Sequence, residues 1–282
     1  MAPHDDDRAA LDLLDSHLEA LWDAAAARVW AVEAPLPAVP EGLAGAAADG
    51  PGPELLRWGL GELARMPREP AAVFARGAGT LLTEFRRRRS PWNAAALRLL
   101  DDPYVFLATG PRRHEDWARD VLAVMHREVP DPRGWLRMDP DRLNASGRLS
   151  SPAYPFAPPP AAEFADRLHR LEPHAAVAAV TVMAEEWMSE PRPVRDRPDA
   201  DGLTADARTL LARYGPDARF WTNAVAAAAD PEPDFLATGL GGHSAHSFLT
   251  GAYVNGLDLF DELGVIAVSG DEVGVFWSIG AY

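Results

Sequence analysis

The residues best suited to chemistry in this sequence lie in Gly242-His243-Ser244-Ala245-His246. This segment approximates the nucleophile elbow G-x-S-x-G, in which a strained strand-to-helix turn presents a serine hydroxyl beside an oxyanion hole. The fifth position is His246, where the tight turn favours glycine. No histidine follows His246 to complete a triad in the order serine, acid, histidine. Serine hydrolysis is therefore an alternative that the pattern does not favour.

The same segment contains a His-x-x-His pair, His243 and His246. On a helix these side chains would occupy neighbouring positions and could bind a divalent metal with a third ligand. The sequence does not define that ligand, for which the candidates are Glu185, Glu186, Asp258 and His114. A divalent metal is thus kept as an alternative, and no cofactor is predicted.

Adjacent carboxylates such as Glu185 and Glu186 do not form a catalytic pair by themselves. Sequence neighbours on a helix diverge by about 100°, which keeps the two side chains apart. We expect them to cap or solubilise helices.

Two nearly identical stretches each end in a histidine. FLATGPRRH runs from Phe106 to His114, and FLATGLGGH runs from Phe235 to His243. We expect both histidines to lie near the start of a following helix and to hydrogen-bond the preceding turn. Alternatively, the two could face each other across a pseudo-twofold axis and bind a metal or an anion.

The two stretches belong to a longer internal similarity. A shift of 129 residues superposes 78–114 on 207–243 with thirteen of 37 positions identical. Alanine-rich composition does not by chance supply paired tryptophans and an unbroken pentapeptide. The similarity predicts an internal duplication whose main structural residues are Trp92, Asp101, Phe106 and Gly110, matched by Trp221, Asp230, Phe235 and Gly239.

The shared residues predict the same local structure in both copies. Trp92 and Trp221 would each begin a helix. Asp101 begins an Asp-Asp-Pro sequence and Asp230 an Asp-Pro sequence. Aspartate followed by proline is typical of a helix N-cap with proline in the first turn. The Thr-Gly at the end of FLATG is a helix stop. FLATG is therefore predicted to be a short capped helix with Phe and Leu in a core.

The elements that would position these residues are mostly helical by pattern. Apolar residues at spacings of three and four predict an amphipathic helix near the N-terminus, and Pro/Gly-rich stretches interrupt the periodicity later. The predicted organisation is an N-terminal helix (1–33), a connector (34–54), a first helical half (55–130), a Pro-rich linker (131–160), a second helical half (161–262) and a C-terminal β-hairpin (263–282).

The hairpin is predicted from GVIAVSGDEVGVFWSI, two short runs rich in Val, Ile, Phe and Trp around a turn. A lone hairpin is marginal in water, so it should pack on the helices or extend a further sheet. The fold class is mainly α, α+β overall, with two related helical halves and the hairpin.

Composition excludes several kinds of site. The chain has no cysteine, which removes disulfides, thiolate nucleophiles and Cys-ligated zinc. It also has no lysine, so all 27 basic residues are arginines. Lysine-dependent sites, including the Gly-Lys-Ser/Thr phosphate loop and Schiff-base chemistry, are therefore excluded.

The formal net charge of −15 predicts a basic partner and argues against nonspecific binding of nucleic acid. One basic cluster, Arg86–Arg89, ends an apolar helical stretch. We expect it to be a solvated helix end, favoured by the helix dipole, with an anion-binding or nucleic-acid-binding patch as the alternative.

The sequence also suggests a compartment. Three aspartates near the start stand where a signal peptide would carry basic residues, and no apolar segment approaches ~20 residues. We expect a soluble cytoplasmic protein without membrane contact.

These observations favour a non-enzymatic protein–protein interaction protein with an acidic surface, such as a scaffold, an adaptor or an immunity-type neutraliser. One alternative is a metal-binding protein or hydrolase with its site at His243, Ser244 and His246. Another alternative is small-molecule binding between the two helical halves.

Overall fold

The structure is a computed structural model, which describes residues 5–29, 35–44, 53–100, 105–129, 155–187, 192–251 and 259–281. The chain divides into two compact units, Met1–Ala94 and Ala95–Tyr282. Each unit has its own hydrophobic core. Most of the predicted linker, 131–154, lies outside the described residues.

The first unit is helical where it is described. It contains α1 (Asp5–Val29), α2 (Glu41–Ala44), α3 (Glu54–Arg65), α4 (Ala71–Arg89) and the beginning of α5 (Pro91–Leu99). Helix α1 occupies most of the predicted N-terminal helix, and it packs along α4 because both carry an apolar stripe at helical spacing. The core that α1, α3 and α4 form includes Leu14, Leu18, Leu21, Leu56, Leu63, Phe74, Leu82 and Phe85.

The basic cluster at the end of α4 corrects the prediction of a solvated helix end. Arg86 is buried and donates from Nε to Asp15 Oδ1 at 3.1 Å and from Nη2 to Asp15 Oδ2 at 2.9 Å, and it also pairs with Glu19. Arg89 pairs with Asp12. These two arginines therefore join α4 to the acidic side of α1.

The second unit is built on a five-stranded antiparallel sheet with the order β1-β5-β4-β3-β2. The strands are β1 (Val105–Pro111), β2 (His169–Leu171), β3 (Arg219–Thr222), β4 (Leu259–Val268) and β5 (Glu272–Ala281). Strands β4 and β5 form the hairpin expected from the sequence, and it extends a larger sheet. The class is α+β.

Helices cover both faces of this sheet. Helices α6 (Trp117–Met125) and α7 (Ala161–Phe164) pack on the face that carries Trp277. Helices α8 (Pro173–Val182) and α9 (Ala200–Ala212) belong to the other side, where Tyr214, just after α9, contacts Phe276 at a ring distance of 6.1 Å. Successive strand residues point to opposite faces, so Phe276 and Trp277 mark the two sides.

The side chain of Trp277 explains why position 264, in the central strand β4, is a glycine. Trp277 is fully buried and lies opposite Gly264 in the register of β4 and β5. A Cβ atom at position 264 would come 2.2 Å from the indole ring. The indole therefore occupies the space that any larger residue would need.

The internal duplication is not confirmed. The first FLATG, 106–110, lies in strand β1, so the prediction of a capped helix is wrong there. The second FLATG begins with helix α10 (Phe235–Thr238), which Asp234 caps by accepting from Ala237 N at 3.0 Å, and it ends at Gly239 with φ of 73°. Identical residues thus adopt different structures in the two places.

The other paired residues differ as well. Trp92 lies in α5, as predicted, but Trp221 lies in strand β3 instead of beginning a helix. Asp230 precedes a loop and accepts from Glu232 N at 2.9 Å, whereas Asp101 lies outside the described residues. Within the predicted second helical half, residues 161–172 form α7, a short 3₁₀ turn and β2 instead of continuous helix.

None of the described helices is long and apolar enough to cross a membrane.

Candidate functional site

The GGHSAHS segment has neither the predicted elbow nor the predicted helix. After α10, a 3₁₀ turn covers Leu240–Gly242 and the chain then runs extended. Ser244 O accepts from Val225 N at 2.8 Å, and Ala245 forms an isolated antiparallel bridge with Ala224. Ser244 therefore lies on an extended segment instead of a strand-to-helix turn, and the geometry of a serine hydrolase is not present there.

His243 is held by the preceding helix. Its Nε2 is hydrogen-bonded to Thr238 Oγ1, and its ring lies 4.5 Å from the ring of Phe235. Burial lowers the pKa of His243, which favours the neutral imidazole. These contacts give His243 a structural role as a brace for α10 and the turn that follows it.

Glu185 stabilises the same turn by accepting hydrogen bonds from backbone N–H groups. Its carboxylate is buried and accepts from Val194 N and Leu240 N, both at 2.6 Å. Gly239 passes so close that a Cβ there would lie 2.9 Å from Glu185 Oε2. Glu185 thus fixes two loops instead of capping or solubilising a helix, while its neighbour Glu186 is exposed.

His114 has a different setting, in the loop between β1 and α6. Its Nδ1 lies 2.7 Å from Asp120 Oδ1, and Asp120 Oδ2 also accepts from Arg113 N, His114 N and Arg112 Nε. Burial raises the pKa of Asp120, but the hydrogen bonds from His114 and from the two backbone N–H groups outweigh it and lower the pKa. His114 and His243 make no contact among the described residues.

His246 has a histidine neighbour that the sequence pattern did not indicate. Its ring centroid lies 5.4 Å from that of His169, on strand β2, with 46° between the ring planes. Burial and the nearby His246 lower the pKa of His169. His169 Nε2 is buried and has no hydrogen-bond partner in the described part of the chain.

A small cavity lies at the other end of this extended segment, next to the beginning of β4. Its volume is about 130 Å³, and polar groups of Ser247, Thr250, Asp261 and Glu262 line it. Phe260, with 44% of its surface exposed, also lines the cavity at a β-bulge of β4. Bulges often re-aim side chains beside functional sites.

The carboxylate of Glu262, beside this cavity, accepts several hydrogen bonds. Its Oε1 accepts from Ser247 Oγ at 2.6 Å and Phe248 N at 2.8 Å, and its Oε2 accepts from Trp277 Nε1 at 2.8 Å. Burial raises the pKa of Glu262, although these hydrogen bonds act in the opposite direction. The carboxyl group therefore anchors 247–249 to the sheet.

No group of three or more His, Asp or Glu side chains suited to a metal is brought together within the described residues. Comparison with known proteins gives no further guide, because no family model, curated protein or solved structure matches the chain.

Sequence reasoning missed Glu262 and His169 for different reasons. Glu262 lies on the same strand face as Gly264 and Ile266, but the opposite face of LFDELGVIAV is apolar as well, so no alternation marks Glu262 as a buried acid. His169 lies within the predicted second helical half, 161–262, and the pairing of β2 with β3 brings it close to His246.

Proposed function

We propose that the chain is a non-enzymatic interaction protein whose acidic surface binds a more basic protein partner. The observation that supports this most directly is a group of four exposed carboxylates on one surface of the second unit: Glu172, Asp230, Glu232 and Asp234. We call this group the acidic surface. Glu172 N donates to Pro231 O at 3.0 Å, which brings the beginning of α8 against the loop 229–234.

The charge of the molecule favours the same function. The net charge is −15, and the basic cluster at the end of α4 is largely paired with acids of its own unit. His174, 3.5 Å from Glu232, is a basic side chain that contacts the acidic surface. Exposed carboxylates attract cationic partners and raise association rates at low salt.

The hydrolase alternative loses its main support, because Ser244 lies on an extended segment and His243 is engaged by Thr238. An active site needs a nucleophile and a base within hydrogen-bond reach. Among the described residues, Ser244 is not hydrogen-bonded to a histidine in this way, and the hydroxyl that does bond His243 is that of Thr238.

The proposal is tested by capture from an extract of the native host at low and high ionic strength. We compare the wild type with Glu172→Gln/Glu232→Gln, which removes two charges from the acidic surface while leaving the caps Asp230 and Asp234 intact. Basic proteins retained at low salt should be released at high salt and should bind the variant more weakly.

The matched control is Glu163→Gln/Glu186→Gln, which removes two exposed charges outside the acidic surface. It should retain the same partner as the wild type. Equal losses in both variants, or retention of acidic proteins only, would contradict the proposal.

A second candidate function is the binding of a small polar ligand in the cavity beside Glu262. The cavity of about 130 Å³ has two hydroxyl and two carboxyl side chains on its wall, a set that suits a small hydroxylated amine. Ethanolamine is a suitable probe, because its ammonium group can bind Asp261 and its hydroxyl can bind Ser247 or Thr250.

Thermal unfolding with increasing ethanolamine tests this candidate, since a ligand that binds only the folded state raises the Tm. The rise should be smaller in Asp261→Asn and unchanged in Asp271→Asn, an exposed control in the β4–β5 turn. Equal shifts in all three proteins would rule out the cavity as the site.

A further inference from the structure

The strongest unassigned feature of the second unit is the pair of imidazoles formed by His169 and His246. Thr222, the last residue of β3, and Asn223, which follows the strand, hold both of them. His169 is the register partner of Thr222, and His246 N donates to O of the adjacent Asn223 at 2.9 Å. The two histidines are distant in sequence but fixed by neighbouring residues of one strand end.

The position of His246 is further fixed by the side chain of Asn223. Asn223 Nδ2 donates to His246 O at 3.0 Å, and Asn223 Oδ1 accepts from Gly264 N at 2.7 Å. Asn223 is fully buried, so these hydrogen bonds are sheltered from water. The backbone of His246 is thereby tied to the central strand β4.

We propose that His169 and His246 together bind a divalent transition-metal ion such as Zn²⁺, Ni²⁺ or Cu²⁺. This site goes beyond the proposed binding of a basic partner, since it uses neither the acidic surface nor its carboxylates. It also differs from the His243–His246 pair that the sequence suggested, because His243 is engaged by Thr238 and Phe235.

The spacing of the rings fits two ligands on one ion. Metal–nitrogen bonds of about 2.0–2.1 Å and a tetrahedral angle place the centroids of two ligating imidazoles about 5 Å apart. The observed separation is 5.4 Å. The centroid separation is thus compatible with both rings on one metal, once side-chain rotation turns a nitrogen of each ring toward the ion.

An unsatisfied nitrogen supports the same site. His169 Nε2 is buried without a hydrogen-bond partner among the residues that the structure describes. Buried polar atoms in proteins are nearly always paired with protein, water or an ion. A metal ion would give this nitrogen a ligand bond in place of the missing hydrogen bond.

The composition of the site determines which ions it should bind. Imidazole nitrogen suits Zn²⁺, Ni²⁺ and Cu²⁺, whereas Mg²⁺ and Ca²⁺ prefer oxygen ligands. Among the described side chains no third His, Asp or Glu joins the two rings, so water would complete the coordination. Binding is consequently expected to be weaker than at a structural zinc site with four protein ligands.

The test is a calorimetric titration of the full chain, with any affinity tag removed, using Ni²⁺ and Zn²⁺ and using Mg²⁺ as a negative control. The wild type should show one site for Ni²⁺ and Zn²⁺ and none for Mg²⁺. His169→Ala and His246→Ala should each lower the affinity of that site by about 10-fold or more, because each removes one of two ligands.

Matched controls separate this site from other histidines and from the acidic surface. His243→Ala, His174→Ala and Glu172→Gln/Glu232→Gln should bind Ni²⁺ with the affinity of the wild type. An unchanged affinity in both His169→Ala and His246→Ala would overturn the proposal, as would an equal loss in His243→Ala.

Circular dichroism of each variant checks that it is folded. If His169→Ala fails to fold, because it lies in the sheet, His246→Ala and His246→Asn decide the question. Retention of the site in the two folded His246 variants would overturn the assignment, and its loss in both would support it.

Discussion

At the residue scale, the carboxylates that organise the second unit are buried anchors. Asp120, Glu185 and Glu262 each accept backbone N–H groups from loops, so a single side chain substitutes for several missing sheet or helix hydrogen bonds. Such groups are costly to leave unpaired in the interior. Their loops should therefore be as well ordered as the elements that they join.

Asp120→Asn should lower the free energy of unfolding by about 1–3 kcal/mol at neutral pH, since it weakens several hydrogen bonds to one buried group. The folded-state pKa of Asp120 is lowered, so its contribution is present above its unfolded pKa and is lost as pH falls through the folded pKa. Urea unfolding at pH 7 and near pH 3 measures the difference between the variant and the wild type, which should shrink at the lower pH.

Asp116→Asn is the control in the same loop. Asp116 Oδ1 caps α6 by accepting from Ala118 N at 3.0 Å, and asparagine is an equally good N-cap. This variant should stay close to the wild type. An equal loss of stability in both variants would show that the negative charge at either position stabilises the protein independently of the hydrogen bonds that the side chain accepts.

Gly264→Ala should destabilise the protein by about 1–3 kcal/mol, because the added methyl group meets the indole of Trp277 in a closely packed core. Gly202→Ala, in helix α9 with open space around it, should instead be neutral or slightly stabilising. Thermal unfolding compares the two variants with the wild type. A neutral Gly264→Ala would mean that Trp277 can move without cost.

The residue scale also shows what a sequence can predict about sites. The chemistry-bearing types in GGHSAHS were visible, but their roles depended on partners far away in sequence. Thr238 engages His243, and His169 lies beside His246 across 77 positions. No local spacing encodes the second of these contacts, because strand pairing creates it.

At the element scale, the α1–α4 pair is held by ions as well as by an apolar core. Arg86→Ala leaves Asp15 as a buried carboxylate without its main partner and should cost about 3–5 kcal/mol. Arg87, with 45% of its side chain exposed, pairs with Glu84 alone among the described acids, so Arg87→Ala should cost no more than about 1 kcal/mol. Chemical denaturation of the full chain measures both.

The double variant Arg86→Met/Asp15→Leu separates the two explanations for such a loss. It removes the buried ion pair and leaves no unpaired charge, so much of the stability should return. A double variant as unstable as Arg86→Ala would mean that the arginine stabilises α4 through contacts other than the ion pair.

The elements differ in how well the sequence predicts them. Helices α1, α3 and α4 follow their apolar periodicity, because an amphipathic helix must bury one stripe. FLATG could not be assigned in the same way, since a five-residue apolar run fits a buried strand and a short helix equally well. Asp234 caps the second copy as a helix, whereas pairing with β5 holds the first copy as a strand.

At the scale of the whole molecule, the second unit has its most protected elements at the centre of the sheet. Strands β4 and β5 have neighbours on both sides and residues on both faces that are buried, whereas β2 is a three-residue edge strand. Amide hydrogen exchange should therefore be slowest in β4 and β5 and faster in β2. Exchange in β2 as slow as in β4 would contradict this view of the sheet.

Apart from its hairpin, the sheet could not be predicted from the sequence. Its first three strands come from 105–111, 169–171 and 219–222, which are short and separated by helices. Alternation is weak in runs of three or four residues, and tertiary pairing decides their structure. The composition, by contrast, already limited the chemistry, because a chain without cysteine or lysine cannot use either side chain.

The central position of the hairpin has a consequence for biosynthesis. Strands β1 and β3 do not touch each other; β5 and β4 join them, and these two are translated after all the other strands. The nascent chain must keep β1 without its neighbour while ~150 further residues are made, on the order of ten seconds at ordinary elongation rates. Strands β4 and β5, which join β1 to β3, thus leave the ribosome after the other described strands. Chaperones can bind the chain during the interval in which β1 has no neighbouring strand.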